Sequence, residues 1–217
     1  MTTKVGVVMF PGTNCEQDVA WAVKVLGGEP EMLWHADRTV GRADAVVIAG
    51  GFAHGDYLRT GAIARFSPVM DAVADFARSG GPVVGICNGF QILCEAGLLA
   101  GALQKNAGLK FRCETVGVRV ETTSTVLTRK AEPGQILRIP INHFEGNFVC
   151  DERTLKGLQT HDQIVLRYVE NPNGSLDDIA GICNEGRNVV GLMPHPERAS
   201  EAILGSTDGA VLLSSLL

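Results

Sequence analysis

A cysteine between two glycines is the first candidate for chemistry, in the segment Gly85–Gly89 (GICNG). It follows the apolar run Pro82–Ile86 and precedes a stretch of helical periodicity that ends near Gly97. The glycines permit a sharp strand-to-helix turn because they have no Cβ, as in the Gly-x-Ser-x-Gly nucleophile elbow. The turn would set the Cys87 sulfur at a helix N-terminus, where free N–H groups and the helix dipole favour a thiolate. A lone cysteine is more often a buried structural residue, and here the glycines and the strand–helix context favour a nucleophile.

A nucleophile needs a base, and the base needs an orienting group. Both residue types occur in Met193–Glu197 (MPHPE), directly after the apolar run Val189–Leu192. Since His195 precedes a proline, its backbone is expected to be extended, and residues i and i+2 of an extended chain point to one side. His195 and Glu197 are therefore expected to face one site, with the imidazole moving protons at Cys87 and the carboxylate fixing its tautomer. A histidine between two prolines is, taken alone, more often a rigid loop residue.

Acyl-transfer chemistry also requires hydrogen-bond donors for the developing oxyanion. Gly50 and Gly51 follow the apolar run Ala45–Ala49, so they are expected at the same edge of the sheet as Cys87. A backbone N–H of this pair could join that of Asn88, although the local sequence fits a plain tight turn equally well.

The other histidines and cysteines give weaker signals. His143 follows an apolar strand and could line a pocket, whereas three histidines lack a matching partner and are expected as surface or core residues: His35, His54 and His161. No two of the six cysteines form a Cys-x-x-Cys pair, so neither a zinc site nor a thioredoxin-type motif is indicated. In a reducing compartment most of them are expected to be buried.

The elements that must position these residues alternate between strand and helix in the first half of the chain. Runs that are apolar on both faces predict buried parallel strands, and they are Val5–Phe10, Ala45–Ala49 and Pro82–Ile86. Between them, helical periodicity predicts a helix over Glu16–Leu26, capped by Asn14 and stopped by Gly27, and another over Ile63–Arg78, stopped by Gly80. This order predicts an α/β fold with a doubly wound, mostly parallel sheet.

The second half of the chain predicts antiparallel additions to the same sheet, followed by a C-terminal helix near Ser200–Leu216. Turn sequences such as Asn171–Gly174 separate the short strand-like stretches. These stretches are Phe111–Glu121, Val126–Leu127, Ile136–Ile141, Ile164–Val169, Ile179–Cys183 and Val189–Met193.

Composition limits the function classes. The 217 residues fit one α/β domain better than two, and 45% hydrophobic with 20% charged residues is ordinary for a globular chain with a sizeable core. A net charge of -5 without a Lys/Arg cluster argues against nucleic-acid binding. No apolar run approaches the roughly 18 residues of a membrane span, and no signal peptide is indicated. The chain is expected to be cytoplasmic.

Taken together, these residues resemble the class I glutamine amidotransferases, through Gly85–Gln91, Gly50–Gly51 and His195–Glu197. Further segments resemble the glutaminase subunits of the small, multi-subunit form of phosphoribosylformylglycinamidine synthase. They are Phe10–Cys15, Gly51–Ala64, Asn171–Ser175 and Met193–Arg198, of which Gly51–Ala64 is specific to those subunits. The resemblance spans nearly the whole chain and implies a single, flavodoxin-like glutamine amidotransferase domain over residues 1–217.

The resemblance implies a glutaminase that works through a Cys-His-Glu triad. Cys87 would attack the side-chain amide of L-glutamine and form a glutamyl thioester, with His195 and Glu197 completing the triad. Main-chain groups of Gly51 and Asn88 would hold the oxyanion. The substrate-binding residues are then expected to be Gln91, Gly50, His143 and Phe144.

The resemblance also implies partners. Ammonia would pass to a synthetase subunit, which would use ATP and Mg to convert formylglycinamide ribonucleotide into the formamidine in purine biosynthesis. A third, small subunit would bridge the two. This chain has no Gly-x-x-x-x-Gly-Lys-Ser/Thr loop, which agrees with ATP being bound by the synthetase subunit. No cofactor and no metal are expected to be bound by this chain itself.

The sequence departs from the family pattern in two places, and three alternative functions have to be compared with it. His54 stands where the family often has Tyr, and Asn142–Gly146 reads NHFEG where AHGEG is usual. Stand-alone cysteine hydrolases and chaperone-like relatives of the same fold commonly have His after the elbow cysteine, where this chain has Asn88. A serine-hydrolase-like enzyme would place the acid before the histidine. A degenerate amidotransferase domain kept as a scaffold would be indicated by loss of a triad residue, and all three are present.

Overall fold

A nine-stranded sheet forms the centre of the structure, a computed structural model that describes residues 2–217. The order of its strands is β2-β1-β3-β4-β11-β10-β9-β6-β7, and β5 pairs with β8 in a separate two-stranded sheet. The strands are β1 (Lys4–Met9), β2 (Glu29–Trp34), β3 (Ala45–Ile48), β4 (Val83–Ile86), β5 (Ala102–Gln104), β6 (Arg112–Val120), β7 (Ile136–His143), β8 (Asn147–Val149), β9 (Ile164–Tyr168), β10 (Ile179–Cys183) and β11 (Val189–Leu192).

The sheet is parallel on one side and antiparallel on the other. Strands β2, β1, β3, β4 and β11 pair in parallel, whereas β10, β9, β6 and β7 continue the sheet through antiparallel pairs. Every residue of β3, β4 and β11 is buried, because helices and loops cover both faces of this part of the sheet. The predicted mostly parallel α/β fold with antiparallel additions in its C-terminal half is confirmed.

Five α-helices connect or flank these strands in the described part of the chain. They are α1 (Glu16–Val25), α2 (Pro68–Arg78), α3 (Asn88–Glu95), α4 (Glu152–Thr160) and α5 (Asp208–Leu213). Asp151 caps α4, since its carboxylate accepts a hydrogen bond from the Thr154 N–H at 2.7 Å. Within residues 2–217, no helix has both the length and the apolar character that a membrane crossing requires.

Three predicted helix boundaries were wrong. The predicted helix Ile63–Arg78 is interrupted, because Pro68 holds Ser67 in an extended conformation, and α2 begins only at Pro68. The predicted cap Asn14 is not used: Cys15 occupies the N-cap position of α1, without a side-chain capping bond. The predicted C-terminal helix shrinks to α5, since Gly205 has a φ of 89° and ends a short 3-10 turn before it.

Four elements were missed, namely β2, β5, β8 and α4, and one predicted strand is absent. The edge strand β2 has a mostly exposed burial pattern and a proline, which an edge strand tolerates because its outer side needs no N–H donor. Helix α4 was missed because it has one buried residue, Leu158. Val126–Leu127 lies in a turn, and Val126 N–H donates to the Arg187 carbonyl outside any strand.

The elbow helix α3 packs on the backbone of β3 through Gly89. A Cβ at this position would lie 2.0 Å from the Ile48 carbonyl oxygen. We predict that Gly89→Ala lowers the free energy of unfolding by about 2–3 kcal/mol, because backbone on both sides must shift. The control is Gly157→Ala in α4, where a Cβ meets open space and should stabilise the protein by about 0.5–1 kcal/mol. Urea unfolding measures both, and a Gly89→Ala protein as stable as the wild type would contradict this packing.

Candidate active site

Cys87 forms the predicted elbow between β4 and α3. It is the N-cap of α3 with φ 52° and ψ −106°, a conformation that non-glycine residues rarely adopt. Its N–H donates to the Leu192 carbonyl at 2.7 Å, and its carbonyl accepts from the N–H groups of Phe90 and Gln91. The thiol therefore lies at the N-terminus of α3, where backbone N–H groups have no partner within the helix.

The glycines around the elbow are required by close packing. A Cβ at Gly85 would lie 2.6 Å from the Gly89 carbonyl carbon. A Cβ at Gly50 would lie 2.9 Å from His195 Cε1 and 3.4 Å from the Cβ of Cys87. Gly50 lies beside the reactive groups and is not among the residues that line the cavity, so the structure gives no direct contact for its predicted role in substrate binding.

His195 and Glu197 form a buried hydrogen-bonded pair. Each is 1% exposed, and the imidazole Nδ1 donates to the Glu197 Oε1 at 2.6 Å. The remaining atoms, His195 Nε2 and Glu197 Oε2, are buried and have no hydrogen-bond partner among the described residues. The predicted pairing is present, but the predicted extended geometry is wrong: Pro196–Ala199 forms a 3-10 turn, and this turn brings Glu197 back to the imidazole.

The imidazole of His195 is electrostatically biased toward its protonated form. Burial lowers the pKa of His195, but the Glu197 carboxylate and the Cys87 thiol outweigh burial, so the pKa lies well above its ordinary value. Cys87 and His195 line the same cavity, which has a volume of about 200 Å³. A thiol at a helix N-terminus beside a protonated imidazole is the arrangement of an activated cysteine nucleophile.

Most of the predicted pocket residues line this cavity. Gly51, Gln91, His143 and Phe144 are in the lining, as are four residues that the sequence did not single out: Cys15, Asp56, Thr60 and Glu145. All four lie in segments that were compared with the family pattern in the sequence, and Glu145 belongs to Asn142–Gly146. Cys15 ends the segment Phe10–Cys15, and Asp56 and Thr60 lie in Gly51–Ala64.

Asn88 ties the elbow to its surroundings through its side chain, which is 1% exposed. Its Oδ1 accepts from the Ala53 N–H at 3.0 Å, and its Nδ2 donates to the Asp56 carboxylate at 3.1 Å and to the Gln91 Oε1 at 2.8 Å. The Gln91 Nε2 in turn donates to the Glu145 carbonyl. These bonds fix the Gln91 amide against the cavity wall.

Gly51, the other predicted oxyanion residue, has φ +145° and lines the cavity. A Cβ there would lie 2.6 Å from the Asn14 N and 2.8 Å from the Thr13 Cα, so only glycine fits. A bridge between Thr13 and Gly51 holds this backbone.

His143 is buried beside the cavity and neutral. Burial, together with the nearby His195, lowers the pKa of His143 to about 3. Its Nε2 accepts from the Asn173 Nδ2 at 3.1 Å, and the same Nδ2 also donates to the Gly146 carbonyl. Asn173 is therefore the residue that sets the orientation of His143, and it lies in the motif segment Asn171–Ser175.

The remaining histidines and cysteines differ in part from expectation. His35 and His54, which have no matching partner in the sequence, contact each other in the structure: their rings meet edge-on with centroids 5.3 Å apart, and Ser67 Oγ lies 3.4 Å from His54 Nε2 and 3.5 Å from His35 Nδ1. Three cysteines are buried, and the others are half-buried or exposed: Cys94, Cys113 and Cys150.

Metal-ligating atoms come together once in the described part of the chain. Cys15, His195 and Glu197 each offer one ligand atom within 4.8 Å of the others. However, the Arg198 guanidinium donates to the Cys15 Sγ at 3.1 Å, and this fixed positive charge opposes a cation at that sulfur. The donor set therefore does not fit a resident metal.

We predict that Glu197→Gln lowers the pKa of His195, because the substitution removes the negative charge that outweighs the effect of burial. NMR titration of the imidazole protons measures the change. Glu132→Gln removes the same charge at an exposed position and should leave the pKa of His195 as it is in the wild type. An unchanged or higher pKa in Glu197→Gln would show that Glu197 does not stabilise the imidazolium.

Residues 2–208 match the family of CobB/CobQ-like glutamine amidotransferase domains. Phosphoribosylformylglycinamidine synthase subunit PurQ of Rubrobacter xylanophilus is 58% identical over 214 residues, which cover 99% of this chain and 97% of the relative. The subunit of the same name from Synechococcus elongatus is 54% identical, covering 98% and 97% of the two chains.

Two solved structures are also similar to this chain. A chain in the structure of PurLQS from Thermotoga maritima has a TM-score of 0.92 and 41% identity, covering 100% of this chain and 98% of that one. A glutamine amidotransferase from Thermotoga maritima has a TM-score of 0.59 with 16% identity, covering 100% and 90% of the two chains. The second likeness concerns the fold alone.

Proposed function

The chain belongs to the family of CobB/CobQ-like glutamine amidotransferase domains and, within it, to the PurQ subunits of phosphoribosylformylglycinamidine synthase, and we propose that Cys87, His195 and Glu197 are the catalytic triad of its glutaminase reaction. The observation that carries this proposal is the buried Nδ1–Oε1 hydrogen bond of 2.6 Å, beside a strained elbow cysteine in the same cavity.

In the proposed reaction, the Cys87 thiolate attacks the side-chain carbonyl carbon of L-glutamine. The tetrahedral intermediate collapses to a glutamyl thioester, and the imidazolium of His195 gives its proton to the leaving ammonia. A water molecule, deprotonated by His195, then attacks the thioester and releases glutamate and the free thiol. Glu197 keeps the imidazole in the tautomer that directs Nε2 at the reacting atoms and stabilises its charged form.

The developing oxyanion is proposed to receive hydrogen bonds from the backbone N–H groups of Gly51 and Asn88. Asn88 is the first residue of α3, where N–H groups have no partner within the helix. Preorganised donors of this kind are typically worth about 10²–10³ in rate.

Four further residues are proposed to shape the glutamine site. Gln91 would contact the substrate from a position fixed by Asn88, while neutral His143 and Phe144 form part of the wall. Gly50 would contribute through its missing Cβ, since any larger residue would displace the imidazole of His195.

The released ammonia is proposed to pass to a synthetase subunit, assisted by a small bridging subunit. That synthetase would use ATP and Mg to convert formylglycinamide ribonucleotide into the formamidine in purine biosynthesis. This proposal rests on the names of the relatives and of PurLQS. No cofactor is proposed for this chain itself.

We predict that Cys87→Ala abolishes glutamate release from L-glutamine, because the reaction then lacks its nucleophile. The matched control is Cys113→Ala on β6, where the thiol that is removed is exposed and does not line the cavity, and its activity should equal that of the wild type. Both variants are assayed with the synthetase, ATP and formylglycinamide ribonucleotide. Full activity of Cys87→Ala would refute the mechanism and favour a scaffold role for the domain.

We also predict that the isolated chain releases glutamate slowly and that its synthetase accelerates release roughly 5- to 150-fold, the usual range of coupling between two sites. The physical reason is that glutamine hydrolysis without an acceptor is unproductive, so the partner is expected to stabilise the active geometry. Initial rates with and without the partner and its substrates measure this factor. An isolated chain that is as fast as the complex would contradict the coupling.

A further inference from the structure

The charge of the cavity is unbalanced. Its lining contains two carboxylate residues, Asp56 and Glu145, and no Lys or Arg among the described residues. The carboxylates interact unfavourably with each other: burial raises the pKa of Asp56 to about 6, the Asn88 hydrogen bond opposes this effect, and the nearby Glu145 adds to it. A cationic group bound between them would relieve both the desolvation and the repulsion.

Asp56 is hydrogen-bonded to the residue that follows the nucleophile in the sequence. Its Oδ1 accepts from the Asn88 Nδ2 at 3.1 Å, and Asn88 is the residue after Cys87. The same Nδ2 also contacts the Oε1 of Gln91, whose Nε2 donates to the backbone carbonyl of Glu145. Asp56, Gln91 and the Glu145 backbone therefore belong to one hydrogen-bonded unit that begins at the elbow.

The turn that carries Asp56 adopts a costly backbone conformation. His54, Asp56 and Leu58 have φ values of 54°, 53° and 70°, a region that residues with a Cβ seldom enter. Two bonds tie the turn to the site: His54 N–H donates to the Pro11 carbonyl at 2.6 Å, and Ala53 N–H donates to the Asn88 Oδ1 at 3.0 Å.

One unpartnered atom in the cavity lies at the reactive group, and another is His143 Nδ1, which also has no hydrogen-bond partner among the described residues. His195 Nε2 is buried without a hydrogen-bond partner among residues 2–217. The cavity lining thus contains a reactive pair, Cys87 and His195, and an anionic pair, Asp56 and Glu145. In L-glutamine the reacting carbonyl carbon and the α-ammonium are four bonds apart, so one small molecule presents both matching groups.

We infer that Asp56, supported by Glu145, binds the α-ammonium group of L-glutamine and is the residue that selects α-amino amides over simple amides. This inference rests on the proposed function, since it assumes that the amide reacts at Cys87. It assigns a role to Asp56 that is separate from the triad and from the oxyanion donors.

A purely positioning role for Asp56 makes a different prediction. If Asp56 only orients Asn88, its loss should affect every amide substrate alike, because the oxyanion is common to all of them. If Asp56 binds the ammonium, its loss should affect only substrates that carry one. Glutaramic acid, which is glutamine without the α-amino group, separates the two cases.

The experiment compares kcat/KM for L-glutamine and for glutaramic acid in the complex with the synthetase, for the wild type and for Asp56→Asn. We expect the ratio of the two values to fall at least about 30-fold in the variant, the size of effect seen when one partner of a desolvated charge pair is removed. Glu145→Gln should lower the ratio less. Asp71→Asn, at an exposed position on α2, is the control and should leave the ratio unchanged. A ratio that stays within twofold of the wild type in Asp56→Asn, whatever happens to the separate rates, would overturn the inference.

A binding measurement separates failure of this inference from failure of the proposed function. Calorimetry on the Cys87→Ala complex compares its affinity for L-glutamine with its affinity for glutaramic acid, with and without Asp56→Asn, and requires no turnover. A preference for L-glutamine that disappears with Asp56→Asn supports the ammonium site even if the wild type releases no glutamate, in which case only the proposed function fails. Equal affinities for the two compounds, or no binding of L-glutamine, would overturn the inference while glutamate release by the wild type still upheld the function.

Discussion

The parallel pairing of β4 with β11 is the interaction on which the rest of the site depends. Leu192 pairs with Ile86 at the carboxyl ends of the two strands, and the Cys87 N–H donates to the Leu192 carbonyl. The chain leaves β4 as the elbow and β11 as the segment that carries His195. Two groups more than 100 residues apart in sequence thus meet because their strands end side by side, as parallel strands in such sheets do.

That convergence is possible only where side chains are absent. The helix α3 touches β3 through Gly89, and a Cβ at Gly191 on β11 would lie 2.1 Å from the Phe90 ring. Gly50 leaves room for the imidazole of His195 in the same way. Glycine in strands and helices is locally unfavourable, so its use at these positions indicates that backbone proximity outweighs local propensity here. The unfavourable local propensity of these glycines is therefore concentrated around the elbow.

Electrostatics then divides the cavity into parts with different tasks. The buried Glu197 carboxylate holds His195 protonated, while burial and the positive charge of His195 lower the pKa of His143 and keep it neutral. The two carboxylates of Asp56 and Glu145 form a second charged pair, and no Lys or Arg among the described lining residues neutralises them. The charges of His195 and Glu197 compensate each other within the protein, whereas the charges of Asp56 and Glu145 are left for a ligand to compensate.

The sequence by itself determined the elements whose signals are local: the buried apolar strands, the elbow glycines around Cys87, and the pairing of His195 with Glu197. The meeting of those two residues was predicted for the wrong reason, since a 3-10 turn rather than extended chain joins them. Only the tertiary structure decided which loops reach the cavity. Cys15 and Asp56 lie in motif segments, but the sequence did not place them in the cavity, because their positions depend on hydrogen bonds to Arg198 and Asn88 from distant segments. Glu145 is linked to the site in a similar way, since its carbonyl accepts a hydrogen bond from Gln91. The edge strand β2 escaped prediction for a related reason, since its pairing with β1, rather than any periodicity of its own, holds it in the sheet.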